Sequence, residues 1–489
     1  MSSSKIKKNL VWQIFYQILN AIIPLITSPY ISRVLGAEQL GVFSYAQSIV
    51  NYFALIAMMG IGTYGIRLIA PLKNEKEKMS GQFWSVFLLQ LFFSIASISL
   101  YSVYLIAFCR DNKLIAFIQA IEILSCLVNI SWLFFGLEEF KTTVIFSSIV
   151  RTLSVVLIIL LVKKESDLWL YTLIIVSSSL GSHALLWIKL CKLVTSPKKE
   201  FICFKPHFKP IFTLFIPIAA MSVYHSMDKT MLGLLSTYSE TGYYYNADKV
   251  INIPLGIISG ITTVLMPKAS KLIASSEKEE VISLFNKSLE GIVLVSVALS
   301  FGIAAVAVEF VPVFFGDGYE PCVLLIYLFV PVFIIKSFSF LVRYVYIIPA
   351  KKDKIYIYSI FAGALVNLIA NLILIPRYGA IGATIGTLIA EFVACVLQFA
   401  LIWKDIKCGI SLLKSSIYLV FAAVMFASVR AFSLIFKGGL LSLILEILVG
   451  ALVFLFFVVL WFLIVKKNNL FREIKDLFKK DKQQNESIN

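Results

Sequence analysis

Residues 440–467 read LLSLILEILVGALVFLFFVVLWFLIVKK, an apolar run that ends in two lysines. A helix rises about 1.5 Å per residue, so roughly 20 apolar residues cross the hydrocarbon core of a bilayer. The run from Leu440 to Val465 is long enough to do so, and the lysines that follow mark the edge of the membrane. Apolar runs closed by basic residues recur along the whole chain. This pattern predicts a polytopic membrane protein.

The composition agrees with that prediction. The chain has 59% hydrophobic and 15% charged residues and a mean hydropathy of +0.90. This leaves too little polar surface to cover a water-soluble protein of 489 residues. We predict an all-α fold with about 14 transmembrane helices, at residues 10–32, 41–66, 82–108, 114–136, 143–162, 168–190, 211–235, 243–266, 285–313, 322–348, 355–376, 381–403, 411–436 and 440–465.

The distribution of lysine and arginine predicts the orientation. With the N-terminus inside, 31 basic residues fall on the inner segments and 7 on the outer ones. The positive-inside rule therefore places both termini in the cytoplasm. The net charge of +16 is mainly a topology signal, so we expect an anionic lipid leaflet next to the inner loops and no nucleic-acid partner.

Cysteine and histidine do not form a recognisable site. The seven cysteines and three histidines are scattered without a C-x-x-C or a Cys/His cluster. The chain also has no P-loop, H-E-x-x-H or G-x-S-x-G pattern. We therefore expect no cofactor, no metal site and no catalytic residue, and a membrane enzyme such as a glycan polymerase is disfavoured.

A short internal repeat indicates two halves. Residues Glu38–Ala46 (EQLGVFSYA) and Ser239–Ala247 (SETGYYYNA) match at an offset of 201 and follow equivalent outer turns. An even number of spans separates the copies, which predicts parallel repeats around a central cavity. The predicted domains are a six-helix bundle at 1–200, a second at 201–408, two additional helices at 409–465 and a cytoplasmic amphipathic tail at 466–489.

Several charged residues fall inside the predicted spans. A charge at the centre of a bilayer costs at least about 2.5–3.5 kcal/mol, so such groups face a partner or a wet cavity. We interpret Glu309, Lys336, Arg430 and Glu446 as structural pairs or snorkelling groups. The candidates for a cavity are Arg151, Asp228, Lys229, Lys249 and Glu391.

The excess of cations among the cavity candidates favours an anionic, phosphate-bearing solute. Asp228 and Glu391 are candidates for coupling transport to a proton or a sodium ion.

Short motifs in a fixed order resemble the polysaccharide flippases of the multidrug/oligosaccharidyl-lipid/polysaccharide exporter superfamily. They extend over nearly the whole chain: SPYISRVLG at 28–36, GVFSYAQ at 41–47, SWLFFGLEEF at 131–140, DKTMLG at 228–233, GYYYNA at 242–247, NLIAN at 367–371, IPRYGAIGA at 375–383, and Glu391.

The resemblance implies a flippase that moves an undecaprenyl-diphosphate-linked oligosaccharide between leaflets of a bacterial cell membrane, for O-antigen or capsule assembly. Its partners would be membrane lipids, a polysaccharide polymerase and glycosyltransferases. We expect five cations to hold the diphosphate and sugar: Arg33, Arg67, Arg151, Lys229 and Lys249. A lipid II flippase and a multidrug or cation antiporter of the same superfamily remain as alternatives, although an antiporter for cations favours an acidic lumen.

Overall fold

The computed structural model describes residues 3–196, 202–406, 408–436 and 438–465, and this part of the chain is helical without strands. The predicted all-α fold is confirmed. The predicted amphipathic tail at 466–489 lies outside the described residues. The helices, in chain order, are α1 (Ser3–Met58), α2 (Ile61–Ile69), α3 (Lys76–Ala107), α4 (Lys113–Val128), α5 (Ser131–Gly136), α6 (Phe140–Leu161), α7 (Leu168–Leu193), α8 (Lys205–Leu235), α9 (Tyr238–Ala274), α10 (Lys278–Phe314), α11 (Pro321–Leu341), α12 (Asp353–Ile402), α13 (Gly409–Ser415), α14 (Ile417–Ser433) and α15 (Gly439–Val465).

Twelve helical segments within the described ranges are long and apolar enough to cross a membrane. Two of the long helices are interrupted: α1 leaves helical geometry at Gly36 (φ 74°, ψ 171°) and α12 at Gly379 (φ 52°, ψ −129°). Both glycines fall between two predicted spans, 32 to 41 and 376 to 381. The multi-pass architecture is confirmed, whereas the count of fourteen and the layout in two halves stay predictions.

The break in α12 is held by a side chain from α9. Gly379 has a backbone conformation that residues with a Cβ rarely adopt. The Glu240 carboxylate accepts a hydrogen bond from the backbone N–H of Ala380 at 2.7 Å. This satisfies one of the orphan donors at the start of the second half of α12, and the negative charge suits a helix N-terminus.

The helices group into two compact units. Unit 1 comprises residues up to 256 together with 314–332 and 352–400, and unit 2 comprises 257–313, 333–351 and the chain from 401 onward. In unit 1, Trp132 is 1% exposed and donates its indole N–H to Gln90 at 3.0 Å. In unit 2, Val297, Met425 and Phe454 join α10, α14 and α15 in one core. Lipid tails are as apolar as these side chains, so close packing holds the helices together.

Within unit 1, the two copies of the repeat cross at a pair of glycines. A Cβ on Gly41 would lie 1.7 Å from the carbonyl oxygen of Tyr238. A Cβ on Gly242 would lie 1.9 Å from the carbonyl oxygen of Ala37. Both the glycines and the carbonyls they face are related by the offset of 201 residues. We call this contact the glycine crossing.

A second pair of contacts is related by the same offset of 201 residues. Tyr45 packs on Gly233, whose added Cβ would lie 2.2 Å from the tyrosine ring. The amide of Asn246 donates to the Ser32 hydroxyl at 3.3 Å. Tyr45 corresponds to Asn246 and Ser32 to Gly233 at the same offset of 201. Helices α1, α8 and α9 thus meet in a locally two-fold arrangement, which supports the internal repeat.

Candidate functional site

A buried carboxylate on α8, Asp228, is the centre of a hydrogen-bond network in unit 1. Asp228 is 6% exposed. Its Oδ1 accepts hydrogen bonds from the amide nitrogens of Asn367 and Asn371 on α12, at 3.0 and 2.7 Å. Its Oδ2 accepts from the hydroxyls of Tyr244 on α9 and Thr387 on α12, at 2.7 and 2.9 Å. In this set, which we call the Asp228 network, four neutral donors replace the water around the carboxylate.

Asn371 also brings an oxygen acceptor into the Asp228 network. It is fully buried, and its Oδ1 has no hydrogen-bond donor. The oxygen fits there because position 386 is glycine: a Cβ on Gly386 would lie 2.2 Å from it. Carboxylate, amide and hydroxyl oxygens are the ligands of hard cations. No group of three or more His, Cys, Asp or Glu side chains suited to a metal occurs in the described ranges.

Next to Asp228 on α8, Lys229 forms a salt bridge with Asp248 of α9, with 2.9 Å between Nζ and Oδ2. Lys249 lies over the ring of Tyr245, with its Nζ 3.9 Å from the ring centroid. Lys229 lies over the same ring at 5.6 Å. A cation over an aromatic face is attracted by about 0.5–2 kcal/mol. Asp248, already in a salt bridge with Lys229, and Tyr171 also attract Lys249 electrostatically. Lys249 is the less fully compensated cation of this group, which we call the lysine cluster.

Glu391 joins α12 to α8. It is 8% exposed, and its Oε1 accepts a hydrogen bond from the Tyr224 hydroxyl at 3.0 Å. Tyr224 and Asp228 are four residues apart on α8 and therefore face the same side of the helix. Both acidic candidates for ion coupling consequently lie along the contact of α8 with α12.

Arg151 belongs to a separate polar cluster among α4, α6 and α7. The Ser125 hydroxyl contacts Ser179 at 3.0 Å and the Nδ1 of His183 at 2.8 Å. The Ser179 hydroxyl donates to the carboxylate of Glu122 at 3.1 Å. Arg151 is close enough to Glu122 for electrostatic attraction. The positive charge of Arg151 is thus partly compensated by the Glu122 carboxylate within this cluster.

The other two arginine candidates lie near helix ends. Arg33 is exposed, and its Cγ lies 2.8 Å from the position of a Cβ on Gly316. Arg67 is exposed in the last turn of α2. Near Arg33, the hydroxyl of Tyr319 donates to the carbonyl oxygen of Ser32 at 3.1 Å. Burial raises the pKa of Tyr319 well above its usual range, so the phenol remains a donor.

The structure thus brings part of the predicted site together. Lys229 and Lys249 meet in one cluster beside Asp228, and Glu391 lies on the same pair of helices. Arg151 lies in a different cluster, and both Arg33 and Arg67 are exposed. Two aspartates balance the two lysines of the central group, so its net formal charge is zero.

Four members of the Asp228 network were absent from the predicted site: Tyr244, Asn367, Asn371 and Thr387. A sequence signal existed for two of them. Asn367 and Asn371 are polar residues four apart in an otherwise apolar span, which places both on one helix face. Their acceptor could not be chosen from sequence, because Asp228 is 139 residues away from the nearer asparagine.

Comparison with known proteins gives a consistent result. A family model described as polysaccharide biosynthesis protein matches residues 6–273. A protein of Escherichia coli (strain K12) described as an O-antigen transporter is 24% identical over 403 residues, covering 80% of this chain and 95% of its own length. A low-salt glycan biosynthesis flippase of Haloferax volcanii, Agl15, is 24% identical over 240 residues, covering 46% of this chain and 50% of its own.

Solved structures share the fold. The lipid II flippase MurJ in its inward closed conformation aligns with a TM-score of 0.70 at 16% identity, covering 93% of this chain and 98% of that one. An inward-facing multidrug resistance MATE family transporter of the MOP superfamily aligns with a TM-score of 0.61 at 13% identity, covering 82% and 94%. These relatives and neighbours are named as transporters or flippases and not as enzymes. Since the family model matches more than half of the chain, the protein belongs to the polysaccharide biosynthesis protein family of membrane transporters.

Proposed function

We propose that this protein is a flippase that carries undecaprenyl-diphosphate-linked oligosaccharide repeat units from the cytoplasmic to the outer leaflet of a bacterial cell membrane. The product would supply O-antigen or capsule assembly, with a polymerase and glycosyltransferases as functional partners. Family membership supports the class of substrate. The observation that supports the site is Lys249, a cation inside the membrane-spanning part of unit 1 that is held by a tyrosine ring.

The chemistry of the substrate explains the need for such a cation. A diphosphate and sugar hydroxyls cannot cross hydrocarbon unless protein groups replace their water. Lys249 can exchange its weak contact with Tyr245 for a phosphate oxygen, and Lys229 can shift from Asp248 in the same way. Arg151 would contact the sugar or diphosphate from the N-terminal bundle. The exposed positions of Arg33 and Arg67 suit contacts during entry and release.

Alternating access would require the glycine crossing to open. Under the predicted topology, Gly41 and Gly242 lie at the outer ends of the predicted spans 41–66 and 243–266. Helices in close backbone contact there leave no outward path between them. We therefore propose that the structure represents a state closed to the outside, and that release of the substrate separates α1 from α9.

Asp228 and Glu391 are proposed to couple this cycle to an ion. A proton or sodium ion bound to Asp228 would neutralise a buried carboxylate and replace some of its four hydrogen bonds. Asn371 Oδ1, which lacks a donor, would be a further ligand. Because the network joins α8, α9 and α12, binding of the ion would alter the packing of all three helices.

Replacement of Lys249 by alanine tests the substrate site. We expect the rate of flipping to fall about 10- to 100-fold, because a charge-assisted hydrogen bond contributes roughly 1.5–3 kcal/mol. Thermal stability should be unchanged or slightly higher, since an incompletely compensated charge is removed. The measurement is translocation of undecaprenyl-diphosphate-linked oligosaccharide in proteoliposomes, beside thermal unfolding of the same sample.

The matched control is Lys268→Ala, an exposed lysine on the same helix α9, which should flip at the wild-type rate. Equal rates for Lys249→Ala and wild type would refute the cationic site. Parallel vesicles loaded with lipid II or with a cationic drug distinguish the alternatives. Transport of either compound in preference to the oligosaccharide lipid would assign the protein to that other class.

A further inference from the structure

Three charged side chains meet in unit 2, apart from the proposed transport site. Arg430 on α14 donates from Nη1 to Glu309 Oε2 on α10 at 2.6 Å and to the carbonyl oxygen of Ala305 at 3.2 Å. Glu446 on α15 lies close enough to Glu309 and Arg430 to interact with both electrostatically. The described charged groups that face Glu446 are thus one carboxylate from α10 and one guanidinium from α14. If both acids were ionised, this set, in which Glu446 is buried and Arg430 and Glu309 are partly buried, would carry a net negative charge.

The surroundings of Glu446 indicate a neutral acid. The residue is 0% exposed, and its Oε2 has no hydrogen-bond donor. A buried carboxylate oxygen without a donor, next to a second carboxylate, is very unfavourable. Protonation of Glu446 removes both unfavourable contributions. The resulting carboxylic acid can donate a hydrogen bond to the Glu309 carboxylate, and Glu309 is then the single counter-ion of Arg430.

Ser442 provides an independent argument. Its hydroxyl oxygen lies 2.7 Å from the carbonyl oxygen of Phe436 and 3.0 Å from Glu446 Oε1. A carbonyl can only accept, so the shorter contact uses the one hydroxyl proton. The longer contact, in which the hydroxyl faces Glu446 Oε1, therefore receives at most a weak share of that proton and does little to compensate a negative charge on Glu446.

We propose that Glu309 and Glu446 form a proton-binding site, with Arg430 as its fixed counter-charge, and that the bound proton holds α14 and α15 against α10. This inference goes beyond the proposed flippase function and does not depend on it. Under the predicted topology, Glu309 and Arg430 lie near the outer ends of their helices and Glu446 lies near the outer start of α15. The site would therefore exchange its proton with the outer side.

Infrared spectroscopy of the purified full-length protein tests the proposal directly. A pH-difference spectrum should contain the carbonyl stretch of Glu446 as a buried carboxylic acid, and Glu446→Gln should remove that component of the band, whereas any contribution from Asp228 remains. Glu309→Gln should remove it as well, because Glu446 would then ionise as the counter-ion of Arg430. The matched control is Glu290→Gln on α10: this carboxylate accepts from the Tyr418 hydroxyl at 3.0 Å and lies outside the proposed proton site, so the band should remain.

The pH dependence of unfolding is a second measurement. If the folded state holds a proton that an unfolded glutamate releases above about pH 5, stability falls as the pH rises. Wild type should lose several degrees more in melting temperature than Glu446→Gln between neutral and alkaline pH. A carboxylic acid band as intense in both folded glutamine variants as in wild type, or equal pH dependence of wild type and Glu446→Gln, would overturn the proposal. Should Glu446→Gln fail to fold, the band in Glu309→Gln decides alone.

Discussion

Alanine in place of Gly41 or Gly242 is expected to abolish both the accumulation of folded protein and glycan export. The added Cβ would lie 1.7 or 1.9 Å from a backbone carbonyl oxygen of the opposing helix. Ordinary C···O contacts are about 3.3 Å or longer, so the helices would have to move apart by about 1.5 Å. Overpacking of this kind costs about 3 kcal/mol or more, against a gain of at most about 1 kcal/mol in helix propensity.

Gly256→Ala is the control, because Gly256 lies on the same helix α9 as Gly242 and a Cβ there meets no atom within 4 Å. This variant should equal or slightly exceed the wild type in stability. Size-exclusion chromatography and thermal unfolding of detergent-purified protein report on folding, and glycan display on cells reports on export. Wild-type melting and export of Gly41→Ala would show that α1 and α9 do not approach each other so closely.

Asp228→Ala is expected to lower stability by at least about 3 kcal/mol and to eliminate export. The substitution leaves the four donors of the Asp228 network without their acceptor, and each unsatisfied buried donor costs about 1–3 kcal/mol. Asp228→Asn keeps the shape and one acceptor oxygen, so we expect a smaller loss of stability. Since the charge is gone, ion-dependent export should still fail in this variant.

The comparison between the two Asp228 variants separates packing from ion coupling. Export is measured in cells, and its dependence on sodium and on pH is measured in proteoliposomes. Asp353→Asn changes an exposed carboxylate in the first turn of α12 and should behave as wild type. Normal, ion-dependent export by Asp228→Asn would eliminate this carboxylate as the coupling group and leave Glu391 to be tested in the same way.

Sequence alone predicted the broad architecture because bilayer thickness sets helix length. Span positions followed from apolar runs, and the Glu38–Ala46 repeat was recognisable from its spacing. Glu309, Lys336, Arg430 and Glu446 are interpreted together from sequence as structural pairs or snorkelling groups, and two of them, Glu309 and Arg430, form a salt bridge with each other. The proton site was not predictable, because its third member, Glu446, comes from another helix and its state depends on atomic contacts.

The candidate site was less predictable, because the hydropathy of a segment does not show how deep in the membrane a side chain lies or towards which neighbour it is directed. Arg33 and Arg67 have the same charge as Lys249, yet both are exposed near helix ends. For Arg67 the reason is local: Gly60, with a φ of 77°, directly precedes the short helix α2, which carries the arginine in its last turn. Lys249 differs from them because its ammonium group lies over the ring of Tyr245, four residues earlier on α9.

The contact between Gly386 and Asn371 is expected to couple the two positions in evolution. A methyl group at 386 would occupy the place of the asparagine oxygen. In homologous sequences, loss of the glycine should therefore coincide with a smaller residue at the position of Asn371, and an asparagine there should require the glycine. Covariation of this pair would trace which members of the family keep the same set of oxygens around the aspartate.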